Sequence, residues 1–100
     1  MIIHGDCIDV LRTFADDSFG VCITDPPYET EAHTKARRSL KDPIGIDFAP
    51  MTAELRLAVS REIARVTRRW VIAFCQIESV ALWREAFEAA GLDWVRGGVW

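Results

Sequence analysis

Apolar residues along the chain recur in two periods, one helical and one extended. Ile8, Leu11 and Phe14, with Val10, share one helical side in "CIDVLRTF", and Asp6 stands where an N-cap belongs. After the polar break "ADDS", residues 19–24 form a brief β-rich run ended by Asp25-Pro26-Pro27. Thr52 caps a second helix, expected over 53–68, in which Leu55, Val59, Ile63 and Val66 recur at helical spacing with the arginines elsewhere. "RWVIAFCQ" is a continuous apolar run of the kind that builds a fully buried strand. In "ESVALWREAFEAAG", Val80, Trp83, Phe87 and Ala90 share a helical face, and Gly91 sits at the C-terminal glycine position. Ile2 and Ile3 read as a short opening strand, and "LDWVRGGVW" as a closing one.

The predicted order is strand, helix, strand, loop, helix, strand, helix, strand. That alternation implies an α/β fold with a mainly parallel sheet. The intervening residues 29–50 read as one long loop. Within it "HTKARRSLK" carries Lys35, Arg37, Arg38 and Lys41 with no acid among them, and Pro43, Gly45 and Pro50 add turn chemistry. A loop of that length in a small domain is either functional or disordered.

One hundred residues make one domain at most, and half of them are hydrophobic, enough for a packed core. No apolar run reaches the roughly 20 residues of a membrane span, and the N-terminus shows no basic start followed by a long apolar stretch. The expectation is a soluble, cytoplasmic protein. Cys7, Cys22 and Cys75 are odd in number and unpaired in spacing. With His4 and His33 far apart, they suggest buried reduced thiols rather than disulfides or a metal site. The net charge of -3 restricts any nucleic-acid contact to a local basic patch. Trp70, Trp83 and Trp94 are expected in the core. Arg65, Arg68 and Arg69 are expected as the cationic end of the second helix.

The chemistry concentrates in "TDPPYE", residues 24–29. Ligands of open α/β sheets bind beyond the carboxyl ends of strands. Prolines lack an N–H, so this turn offers carbonyl oxygens, and ionised Asp25 offers only acceptors. Two acceptors side by side suit a nitrogen bearing two hydrogens, and Tyr28 provides a flat face for a planar ring. The turn describes a pocket for an aromatic amine. Its bland alternative is a strand-ending turn in which Asp25 bonds nearby backbone N–H groups.

"TDPPY" resembles motif IV of the S-adenosylmethionine-dependent DNA amino-methyltransferases. "IIHGDCIDVLRTFADDSFGVCITDPPY" is similar to the opening of their permuted class, where the catalytic motif precedes the glycine-rich cofactor motif. "VTRRWVIAFCQ" and "FEAAGLDWVRGGVW" resemble the elements that follow. The resemblance implies a Rossmann-like methyltransferase sheet, mainly parallel and incomplete in these residues, with residues 1–100 as a single catalytic-motif domain or fragment. It implies DNA as partner and S-adenosylmethionine as cofactor. Asp25, Pro26, Pro27 and Tyr28 would act on a flipped-out base. Asp6 and Cys7, together with Asp25, would meet the cofactor; otherwise Asp6 is only a helix cap and Cys7 a small core residue. Lys35, Arg37, Arg38 and Lys41 would touch DNA; otherwise they line a solvated loop, with His33 a surface residue.

The F-x-G-x-G-like cofactor loop of the family is missing, and Gly97-Gly98 does not supply it. The chain reads as one segment of a larger protein, completed by a further segment carrying that motif or paired as a homodimer. Adenine is the expected base, because the cytosine-N4 enzymes more often carry serine where Asp25 stands; cytosine stays open. The other readings are a non-catalytic fragment or subunit that binds nucleic acid, and an RNA or protein-amide methyltransferase. Asparagine often replaces the aspartate in that last group.

Overall fold

The computed structural model describes residues 1–29 and 49–99. Helix α1, Cys7–Arg12, starts where the Asp6 carboxylate accepts the backbone N–H groups of Ile8 and Asp9, at 3.0 and 3.2 Å. Those groups have no partner within the helix, so the cap defines its first residue. Strand β1, Phe19–Thr24, follows a turn in which Asp17 adopts a φ of 58° and donates its N–H to the Arg65 carbonyl. Helix α2, Ala53–Val66, begins at Thr52, whose hydroxyl accepts from the Leu55 N–H at 3.1 Å.

Strand β2, Thr67–Ala73, continues from α2 without a loop, because Thr67 is already extended at φ -109°, ψ 124°. A single turn at Ile77–Ser79 leads into helix α3, Val80–Ala89. Helix α3 closes as expected. Gly91, at φ 94°, donates to the Glu88 carbonyl and Leu92 to the Phe87 carbonyl, the paired bonds of a Schellman ending.

The two strands pair in parallel, with Cys22 opposite Val71, Ile23 opposite Ile72 and Thr24 opposite Ala73. The register shifts between Phe19 and Val21, at Gly20. The fold is therefore mixed helix and strand with a small parallel sheet, compatible with an α/β class.

One sheet face lies against the helices. Met51, Val59, Ile63 and Trp83 form the buried centre, and Ile8, Leu11, Cys22, Leu55, Val71, Cys75 and Phe87 pack around it. Arg65 ties α1 to α2: its guanidinium donates to the carbonyls of Leu11 and Phe14 and to the carboxylates of Asp16 and Glu62. The second helix thus contributes its predicted stripe, with Val59, Ile63 and Val66 all buried.

Several expectations are corrected. Helix α2 ends at Val66, so Arg68 and Arg69 lie exposed on β2 and only Arg65 belongs to the helix end. β2 is not buried on both faces: Trp70 and Ile72 are about half exposed, because no described element covers the outer side of the sheet. Neither residues 2–3 nor 92–99 form a strand, since a strand needs a neighbour to complete its ladder and only β1 and β2 find one among the described residues.

Of the three tryptophans expected in the core, Trp83 is buried. Trp70 faces outward, and Trp94 lies at the surface with the Arg84 guanidinium 5.4 Å from its ring centre. Cys7 is exposed, and Cys22 and Cys75 are half-buried; all are free thiols. Among the described residues no helix is long and apolar enough to cross a membrane.

Candidate functional site at the carboxyl end of the sheet

The ladder carries one step past the last strand pair, since the Phe74 N–H donates to the Thr24 carbonyl at 2.9 Å. Asp25 is the first residue beyond that bond, and it is exposed. Val21, Ile23 and Asp25 alternate with half-buried neighbours, so the carboxylate continues the outward series of β1. Among the described residues the Asp25 carboxylate makes no hydrogen bond or ion pair, and the Pro26 carbonyl accepts none. The bland alternative, in which Asp25 bonds nearby backbone N–H groups, finds no such bond there. Pro26 and Pro27 are half-buried, and Tyr28 is 38% exposed. An acid, a carbonyl that accepts no donor among the described residues and a partly open phenol ring thus follow one another where a parallel strand ends.

The far end of the turn is anchored to the helices. The Tyr28 carbonyl accepts the Met51 N–H at 3.4 Å, a long bond. The next residue, Glu29, pairs with the Arg56 guanidinium. Arg56 is 6% exposed, and its guanidinium carbon lies 5.7 Å from the Trp83 ring centre. Sequence reasoning missed this arrangement, because it placed the arginines of α2 off the apolar stripe. The signal was present: Arg56 precedes Val59 by three residues and Ser60 by four, which puts it on the same side of the helix as those buried residues.

Asp6 and Cys7 lie at the amino end of α1, and no hydrogen bond or ion pair among the described residues joins them to the 25–29 turn. The cap role of Asp6 is what the geometry displays, with Oδ1 accepting both backbone donors. Although Cys7 is exposed overall, its thiol is held above its ordinary value, first by partial desolvation of the sulfur and then by the charge of Asp6. Burial alone raises the Cys22 and Cys75 thiols. All three are disposed to stay protonated at neutral pH and are poor nucleophiles.

Lys35, Arg37, Arg38 and Lys41, with His33, lie outside the described residues, as does most of the predicted 29–50 loop. Among the described residues no three histidine, cysteine or acidic side chains come together as a metal site. Compared with protein-family models, with curated proteins and with solved structures, the chain matches none.

Proposed function

We propose that this chain is the catalytic-motif part of a Rossmann-like, S-adenosylmethionine-dependent DNA methyltransferase of the cytoplasm, acting on the exocyclic amine of adenine. The observation that carries the proposal is the exposed Asp25 at the carboxyl end of a parallel strand. Its carboxylate and the Pro26 carbonyl are unengaged among the described residues, and Tyr28 lies partly open three residues on. The "TDPPY" resemblance supplies the chemical class.

An exocyclic amine is a weak nucleophile because its lone pair is delocalised into the base. Asp25 and the Pro26 carbonyl accept its two hydrogens, which favours a pyramidal nitrogen and returns the lone pair to it. As the nitrogen takes the methyl group it gains positive charge, which the Asp25 carboxylate stabilises until the nitrogen releases one of its two protons to solvent; oriented charge of this kind is usually the largest catalytic contribution. Tyr28 stacks on the base, which must leave its duplex to reach the turn. Pro26 and Pro27 restrict the backbone between these groups, so the acceptors need little reorganisation.

S-adenosylmethionine, when bound, supplies an electrophilic methyl group on sulfur. The residues here fit part of its cradle. Asp6 is exposed and spends Oδ1 on its cap, which leaves Oδ2 to accept from the cofactor's adenine amine, with Cys7 beside it. The glycine-rich part of the cradle would come from a further segment that carries that motif.

The test is transfer of tritiated methyl from S-adenosylmethionine to DNA, RNA and protein offered in parallel, with circular dichroism to confirm folding. Label is expected in DNA, on adenine, and is expected to vanish with Asp25→Ala while the fold persists. An unchanged rate for Asp25→Ala, or label in RNA or protein alone, overturns the proposal. Calorimetric titration that shows no cofactor binding favours a non-catalytic nucleic-acid-binding subunit instead.

A further inference from the structure

We infer that Arg56, acting through Glu29, is the positioning residue of the 25–28 turn. The inference rests on the methyltransferase reading for its catalytic consequence, but not for the anchoring itself. Among the described residues the turn is held at both ends. At its start, the Thr24 carbonyl is held by the Phe74 N–H at 2.9 Å, within the sheet. At its end, the one bond to the Tyr28 carbonyl among the described residues comes from Met51 at 3.4 Å, too long to fix a side chain. The remaining attachment among the described residues is the ion pair of Glu29 with Arg56.

Arg56 is suited to this task because its own position is determined by packing. It is 6% exposed, sits in the first half of α2 behind the Thr52 cap, and places its guanidinium over Trp83, itself 4% exposed. Trp83 in turn packs with Phe87 at 5.5 Å between ring centres. A planar guanidinium held over an aromatic ring has little rotational freedom, and its Nη2 donates to Glu29 Oε1 from a defined direction. Position therefore passes from the α2–α3 contact through Arg56 to Glu29. From there the chain runs one residue back to Tyr28 and four to Asp25.

A purely structural role explains this pair poorly. Desolvating two charges offsets most of their attraction, so an apolar pair of similar volume often gives equal stability. What the apolar pair lacks is direction, and direction is what a turn bearing an acceptor and a stacking ring requires.

The test uses the full chain and its single tyrosine. With ring-labelled tyrosine, NMR reports Tyr28 alone. In the double variant Arg56→Met with Glu29→Leu, the unfolding midpoint is expected to stay near that of the parent. The Tyr28 signals should shift and broaden, and where methyl transfer is measured, kcat should fall at least ten-fold, toward the roughly hundred-fold loss that a 1 Å misplacement produces. Arg56→Lys with Glu29 kept, which retains the charge but not the planar group over Trp83, should restore part of both. Glu29→Gln covers the case in which the double variant fails to fold: it leaves Arg56 in place, and the same Tyr28 shift is expected. Unmoved Tyr28 signals in a folded variant overturn the anchoring. Displaced Tyr28 signals with unchanged kcat leave the anchoring standing and refute the catalytic reading of the turn.

Discussion

Two isoleucines allow the same chemical change to be made at two depths. Ile63, on α2, is 3% exposed and packs with Met51, Val59 and Trp83. Ile23, on the outer face of β1, is 66% exposed. Truncating either to alanine removes three carbons. For Ile63 the transfer loss is about 2.4 kcal/mol, at about 0.8 kcal/mol for each carbon taken from a buried site. The cavity left behind raises this to about 3–4 kcal/mol, and alanine's better helix propensity returns a few tenths.

For Ile23 only about a third of the transfer loss applies, so about 0.8 kcal/mol. Alanine's poorer fit in a strand adds a few tenths, for a total of about 1 kcal/mol. Urea denaturation followed by circular dichroism measures both, and Ile63→Ala should also lower the Tm by more than about 10 °C in a chain of this size. A loss under about 1 kcal/mol for Ile63→Ala would refute the placement of the core. Equal losses at the two sites, at every protein concentration, would show that the outer face of the sheet is covered in solution.

Tyr28→Ala should weaken turnover through lost stacking, by about 1–3 kcal/mol or about 5- to 150-fold in kcat/KM; an undiminished rate at subsaturating DNA speaks against base stacking at Tyr28. The cysteines should make stability fall at high pH. With folded thiols raised above 9.0, the native chain holds protons that the unfolded chain has released. Their contribution is thus complete below about pH 9 and is lost as pH climbs through the raised values. At pH 8, alkylation of Cys22 and Cys75 by iodoacetamide should be slower folded than in urea, and equal rates would contradict the burial described.

The elements legible in the sequence are those whose signals are local. Asp6 and Thr52 cap helices because a short side chain reaches a backbone donor two or three residues on. Gly91 ends α3 because a left-handed φ costs glycine little. The stripe of Val59, Ile63 and Val66 needed only the helical period. The end of β1 was legible in the same way, because two prolines after a β-rich run can only interrupt the ladder.

The outcome was less legible wherever it depended on a partner. Trp70 and Ile72 read as buried because an apolar run does not reveal whether both of its faces find a cover. Residues 2–3 and 92–99 have strand-like composition but gain no neighbour among the described residues, and an unpaired strand leaves its backbone groups to water. Arg56 read as a surface cation because its burial depends on Glu29, distant in sequence, and on Trp83, in another helix.

The amino-acid order alone therefore determined where helices begin and end and which residue types stand together in the 24–29 turn, since those properties span only a few bonds. Tertiary structure decided which sheet face is covered, and that Arg56 is buried and pairs with Glu29. Those outcomes come from pairings across dozens of residues, and each is settled by which partner removes water from it.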